Sequence, residues 1–169
     1  MKHTILSALI TLFMLPASMN AQTLVSGSLL PLKSEKTVNF EISFERIHGM
    51  SEKDFSEYEH DWYKDKPDIV ARFYSNASLV RTTDCPMLVV NSNCRYTVKV
   101  IVYDINTQGD YLCEFIVKDN AQKTEIAKVT GIRGSGGHFG SKLNLIKDGA
   151  EHTGKKFGAA LRKLIKKAK

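Results

Sequence analysis

The sequence lacks the paired residues from which most metal and catalytic sites are built. No Cys-x-x-Cys or His-x-x-x-His pair occurs, and no His has a partner at the spacing of a metal site or a catalytic triad. No Gly-x-Ser-x-Gly motif occurs either, since Ser135 has Arg133 where that motif needs its first Gly. These absences predict a protein without a metal or a cofactor, and they favour a protein that is not an enzyme.

A glycine-rich run over residues 131–140 also lacks the residues that would make it a nucleotide-binding loop. Phe139 stands where a dinucleotide fingerprint needs Gly, and Gly140 is followed by Ser-Lys where a P-loop needs Lys and then Ser or Thr. The run therefore predicts a flexible connection between a strand and a helix.

The first 21 residues have the composition of a secretory signal peptide. Lys2 precedes an apolar run from Ile5 to Leu15, and Pro16 and Ala21 follow it. The run is too short to span a bilayer, and cleavage is expected after Ala21 or near Ala17. We therefore expect an exported protein, periplasmic or secreted, in which residues 22–169 form a single domain.

Three cysteines follow this segment. Export to an oxidising compartment makes pairing plausible, and Cys85 and Cys94 bracket a short loop that a disulfide could close. Cys113 lies in an alternating pattern and is expected to be a buried thiol. The alternative is that all three are small buried apolar residues.

Apolar periodicity predicts an α+β fold. Period-two alternation marks four strands, at residues 38–45, 94–103, 111–118 and 125–132. Helical spacing begins at Ser51 and continues past Pro67, which predicts two helical pieces with a kink or break between them. We therefore expect a single sheet of about four strands, in the order β-α-β-β-β-α. The last three strands form an antiparallel meander, and helices cover one face.

The excess positive charge lies at the C-terminal end. From Lys155 onward there are seven Lys or Arg and no Asp or Glu, so the rest of the chain holds 17 basic residues against 18 acidic ones. An apolar stripe at spacings of three and four predicts one helix over about 141–169, although glycines at 149, 154 and 158 could interrupt it. That helix would be about 43 Å long, so its basic end is expected to overhang a domain about 30 Å across. The glycines suggest that it lies very close to the sheet.

Three passages, at residues 93–100, 136–149 and 154–163, resemble a group of small secreted proteins of Bacteroidetes-type bacteria. The resemblance covers most of the chain from about Val38, and it brings no catalytic residue with it. A more distant likeness at the level of fold is to periplasmic domains of envelope-assembly proteins such as the curli secretion component. This likeness is an analogy of fold only.

The sequence-based hypothesis is an exported, non-enzymatic domain that binds at the cell envelope through a sheet face or through the basic helix end. Its partner would be an anionic component, either lipid or lipopolysaccharide, or an envelope protein. Nucleic acid is a weaker candidate. The expected binding residues are Lys155, Lys156, Arg162, Lys163, Lys166, Lys167 and Lys169, with Phe157, Leu161, Leu164 and Ile165 as an apolar side that could enter a membrane. Three alternatives stay open. The basic end could serve only solubility, the protein could be a secreted hydrolase whose site is assembled from distant residues, or it could bind a partner at an open edge of the meander.

Overall fold

The computed structural model describes residues 22–79 and 85–169, so the predicted signal peptide lies outside the described residues. The elements, in chain order, are β1 (Thr23–Gly27), a 3-10 helix (Leu30–Ser34), β2 (Thr37–Phe44), β3 (Arg46–Ile47), β4 (Met50–Ser51), α1 (Glu52–Tyr58), α2 (Trp62–Ser78), β5 (Met87–Val89), β6 (Tyr96–Ile105), β7 (Tyr111–Asp119), β8 (Thr124–Gly134) and α3 (Lys142–Lys167).

The fold is α+β, but the prediction of a sheet of about four strands was wrong. The described residues form one mixed sheet of eight strands, in the order β1-β8-β7-β6-β2-β5, with β3 and β4 attached beside β6. The additional strands are β1, β3, β4 and β5. They have two to five residues each, too few for period-two alternation to stand out, and β1 is exposed along its whole length.

Strands β6, β7 and β8 follow one another as antiparallel neighbours, joined by short turns. The chain reaches β6 from β2 by way of α1, α2 and β5, and β2 pairs with β6 in parallel, from Asn39 opposite Thr97 to Phe44 opposite Val102. Because β1 pairs with β8 and β2 pairs with β6, neither edge of the meander is open. The meander itself therefore offers no free edge to a partner, and the outer strands of the sheet are β1 and β5.

The break between the first two helices is not where Pro67 led us to expect it. Helix α1 begins at Ser51, whose hydroxyl accepts a hydrogen bond from the backbone N–H of Asp54, and it ends at Tyr58. Helix α2 then runs from Trp62 through Pro67 to Ser78 without interruption. Because Pro67 has no backbone N–H, the helix lacks one hydrogen bond at this point. The carbonyl oxygen that would have accepted it belongs to Tyr63, which is exposed.

Helix α3 is continuous through its three glycines, and the core forms where it meets α2 and the sheet. Phe157 is fully buried, with its ring centroid 5.7 Å from that of Phe73 on α2 and 5.3 Å from that of Phe115 on β7. A methyl group added at Gly154 or Gly158 would meet the backbone of α2, at Phe73 and Ala77 respectively. The close approach of this part of the helix is therefore to α2, whereas we had expected the sheet.

The C-terminal end of α3 does not overhang the domain. Leu161 and Ile165 in its last turns are buried, and Lys33 of the 3-10 helix donates a hydrogen bond from Nζ to the carbonyl oxygen of Ala168 at 2.7 Å. The sequence-based estimate failed because the 3-10 helix, which the apolar pattern did not reveal, extends the domain under this end of the helix.

The predicted disulfide between Cys85 and Cys94 is also wrong, since all three cysteines of the described residues are free thiols. Cys85 lies against α3, with its Sγ 3.9 Å from the carbonyl oxygen of Arg162, whereas Cys94 Sγ lies 3.7 Å from the hydroxyl of Thr37 at the start of β2. The segment between the two cysteines contains strand β5, which pairs with β2 and so is not a free loop. Cys113 is buried in the sheet, and burial raises the pKa of its thiol.

Candidate anion-binding surface

The outward side of the second half of α3 exposes six lysines. We call these residues the α3 lysine surface: Lys155, Lys156, Lys163, Lys166, Lys167 and Lys169. Lys163 precedes Lys166 and Lys167 by three and four residues and follows Lys156 by seven, or two turns, so the helix brings these lysines onto one side, and Lys169 follows the end of the helix. Six of the seven basic residues expected to bind therefore do form one exposed group.

No lysine of this surface forms a salt bridge with a carboxylate of the described residues. The first half of the same helix is different. There Lys147 Nζ lies 3.1 Å from a carboxylate oxygen of Asp65 and 3.4 Å from one of Asp68. Arg72 Nη1 of α2 lies 2.6 Å from a carboxylate oxygen of Glu151. The charge of Lys147 is thus neutralised by carboxylates of α2, whereas the lysines of the second half of α3 have no such partner among the described residues.

The sequence of α2 explains this difference. The two helices run parallel, because Lys147 faces Asp65 and Asp68 while Gly154 and Gly158 face Phe73 and Ala77 further along α2. Helix α2 carries its acidic residues before Arg72, and its last turns hold none. The second half of α3 therefore has no carboxylate to meet on its neighbouring helix.

The inward side of the same segment is fully used by the core. Of the four apolar residues that we expected to enter a membrane, Phe157 and Ile165 are completely buried and Leu161 is 4% exposed, while Leu164 is half-buried and packs against the same core. Among the described residues, no helix is long and apolar enough to cross a membrane. Any contact with an anionic surface must therefore use the lysine side chains alone.

Arg162, the seventh residue expected to bind, does not belong to the lysine surface. Its side chain turns inward, and Nη1 donates a hydrogen bond to the carbonyl oxygen of Ala77 at 3.1 Å. Burial lowers the pKa of this guanidinium, with a smaller opposing effect from Cys85. Sequence reasoning grouped Arg162 with the lysines because charge is visible in a sequence and side-chain direction is not.

The other residue groups considered in the sequence have structural roles. Asp110 accepts a hydrogen bond from the backbone N–H of Gly136 at 2.7 Å and a second one from the side-chain amide of Asn106, so it holds the glycine-rich segment against the β6–β7 turn. His152 donates from Nδ1 to the carbonyl oxygen of Ser135 at 2.8 Å. Within residues 22–79 and 85–169, no group of three or more His, Cys, Asp or Glu side chains could hold a metal ion.

No protein-family model matches this sequence, and no curated protein matches it at a significant level. Twelve chains of solved structures match the fold, and two of the structures are PelC dodecamers. A dodecameric PelC variant from Paraburkholderia phytofirmans aligns with a TM-score of 0.42 and 12% identity, over 84% of this chain and 98% of that chain. A second PelC dodecamer from the same organism gives 0.40 and 8%, over 82% and 98%. Similarity this distant carries no argument about function.

Proposed function

We propose that this protein is an exported, non-enzymatic domain that binds a phosphate-rich anionic component of the cell envelope, such as acidic lipid or lipopolysaccharide, through the α3 lysine surface. The observation that carries the proposal is the set of six exposed lysines without a carboxylate partner on one side of α3. Export is itself part of the proposal, and it rests on the apolar N-terminal segment.

The binding is electrostatic and peripheral. Each Lys near an anionic membrane surface contributes about 1 kcal/mol, so several lysines on one side of a helix suffice for reversible attachment. Because Phe157, Leu161 and Ile165 are buried in the core, no apolar insertion adds to this free energy. Attachment should therefore weaken steeply as salt is added, since exposed charges are screened within about 10 Å at 0.1 M salt.

The test is sedimentation of the protein with vesicles of phosphatidylglycerol, compared with vesicles of phosphatidylcholine. We expect the protein to sediment with the anionic vesicles at low salt, to be released as salt rises, and to stay in solution with the zwitterionic ones. Equal sedimentation with both kinds of vesicle, or retention that salt leaves unchanged, would count against the lysine surface.

Removal of the helix end is not a usable test. Residues from Arg162 onward include Ile165, which is completely buried, and Ala168, which holds the 3-10 helix through Lys33. A truncated chain would lose core packing along with charge. Substitution of Lys163, Lys166 and Lys167 by Gln removes three positive charges and leaves the packed side of α3 intact.

The hydrolase alternative has less support from the geometry. Ser78 and Cys85 line one cavity, but the described side chains around that cavity include no His, Asp or Glu that could act as a base. A second cavity, at the β6–β7 turn, contains the carboxylates of Asp104 and Asp110, but both oxygens of Asp110 accept structural hydrogen bonds and Asp104 lies 3.9 Å from the guanidinium of Arg46. The other alternative, that the lysines only keep the protein in solution, predicts no difference between the two kinds of vesicle.

A further inference from the structure

A cavity of about 380 Å³ lies between the last turns of α2, the second half of α3 and residues 85–88. Its walls are largely apolar and include the side chains of Tyr74, Leu88, Leu161 and Ile165. Tyr74 is held in place by a hydrogen bond from its hydroxyl to the carbonyl oxygen of Leu88 at 2.8 Å. The volume falls within the range of about 300–1,000 Å³ that is usual for small-molecule sites.

Two polar groups of this cavity have unused hydrogen-bonding capacity. Arg162 uses Nη1 for the carbonyl oxygen of Ala77, but its Nη2 is buried and has no hydrogen-bond partner in the described structure. The hydroxyl oxygen of Ser78, one residue after Ala77, is likewise buried and without a partner. Both residues line the cavity.

A buried N–H donor without a partner destabilises the folded protein, because it has lost water without gaining a compensating hydrogen bond. An anionic oxygen in the cavity would provide that partner for Arg162, and a second oxygen on the same group could accept from Ser78. The exposed Lys36 lies at the same cavity and adds another positive charge. Two available donors match the two oxygens of a carboxylate, and the apolar walls match a hydrocarbon body.

We propose that this cavity binds a small amphiphilic monocarboxylate, with its carboxylate on Arg162 and Ser78 and its hydrocarbon body against Leu88, Leu161 and Ile165. The proposal concerns the inward side of α3, so it goes beyond the proposed function of the lysine surface and does not depend on it. Either one can fail while the other stands.

Cys85 gives the site a chemical readout. It is half-buried and lines the cavity, whereas Cys94 lies outside the cavity lining and Cys113 is almost completely buried, with a pKa raised by that burial. In a Cys94→Ser background, alkylation of the folded protein should therefore report on Cys85. A ligand seated in the cavity should protect this thiol from the reagent.

The experiment uses octanoate below its micelle-forming concentration as the probe, with octanol as the analogue without charge and acetate as the analogue without a hydrocarbon body. Calorimetric titration measures binding, and the rate of N-ethylmaleimide labelling measures protection of Cys85. We expect octanoate to bind saturably and to slow the labelling, and we expect octanol and acetate to do neither at the same concentrations.

Arg162→Gln should weaken octanoate binding by about ten- to hundredfold, which is the size expected when a charged hydrogen bond is lost. Ser78→Ala should weaken it less, because the guanidinium remains. Arg133→Gln is the control, since it removes the same charge from an exposed position on β8. Circular dichroism and thermal unfolding establish that each variant is folded.

Absence of binding to the folded protein would overturn the proposal. So would equal binding of octanol and octanoate, or affinity that Arg162→Gln leaves unchanged, since each would show that the guanidinium does not select the ligand. Weakening by Arg133→Gln as strong as that by Arg162→Gln would show a general charge effect and would also overturn it.

Discussion

The packing of α3 against α2 can be tested by a substitution whose two possible effects have opposite signs. Gly158→Ala should stabilise an ordinary helix by about 1 kcal/mol, because Ala has the higher helix propensity. In this fold, however, the new Cβ would stand about 1 Å too close to the carbonyl oxygen of Ala77 on α2, given a usual contact distance of about 3.5 Å. The two helices must separate to admit it.

The cost of such overpacking is about 1–3 kcal/mol, and a clash with backbone belongs near the upper end of that range because no side chain can rotate away. Subtracting the gain in propensity leaves a net destabilisation of about 2 kcal/mol for Gly158→Ala. Gly154→Ala meets the carbonyl oxygen of Phe73 in the same way and should cost a similar amount. The double variant should cost less than the sum, since one movement of α3 relieves both clashes.

Denaturant unfolding measures the free energy of unfolding of each variant, and an unchanged m-value shows that the same surface is exposed. The exposed Ala159 supplies the control in the same helix, because Ala159→Gly reports the propensity difference without any contact to α2. If Gly158→Ala instead stabilises the protein by the amount that Ala159→Gly costs, the close packing of α2 and α3 is wrong.

Three further predictions follow from the core, the thiols and a half-buried imidazole. Phe157→Ala should lower the free energy of unfolding by about 3–5 kcal/mol in denaturant titrations, because a completely buried ring leaves a cavity. Alkylation of the unfolded protein without reductant should add three labels, counted by mass spectrometry, since all three thiols are free. A single label would show that two of the cysteines form a disulfide. The pKa of His48 is lowered from 6.5, first by burial and then by Lys142, so the unfolded chain binds more protons below that pH and stability should fall as pH drops through this range. His48→Asn should reduce that pH dependence, and Asn tolerates the positive φ at this position. If the free energy of unfolding of the variant depends on pH as before, His48 is not the group responsible.

Much of the fold was visible in the sequence because it depends on periodicity over long segments. The alternation of β2, β6, β7 and β8 and the apolar stripe of α3 each extend over eight or more residues, and the observed α3 begins directly after its capping residue Ser141. The short strands were not visible, because two or three residues cannot establish a period and the five residues of β1 are all exposed. Their pairing depends on neighbours far away in the chain, as when β5 adds to β2.

The two candidate sites differ in the same way, because one depends on a single segment and the other on segments that are distant in the chain. The α3 lysine surface is a property of one helix, so counting charges was enough to predict it. The cavity joins Ser78, Cys85 and Arg162, which come from three separate segments, and nothing in the spacing of these residues connects them. The inward direction of Arg162 depends on the carbonyl of Ala77, which becomes a partner only once α2 and α3 pack together.

The most direct test of the proposed function compares two variants with the same change in net charge. Lys163, Lys166 and Lys167 are changed to Gln in one variant, and the equally exposed Lys53, Lys64 and Lys123, from other elements, are changed in the other. At about 1 kcal/mol per lysine, the first variant should bind phosphatidylglycerol vesicles about a hundredfold more weakly at low salt than the unchanged protein. The second should retain most of the binding. An equal loss in both variants, or no loss in either, would contradict the assignment of anion binding to α3.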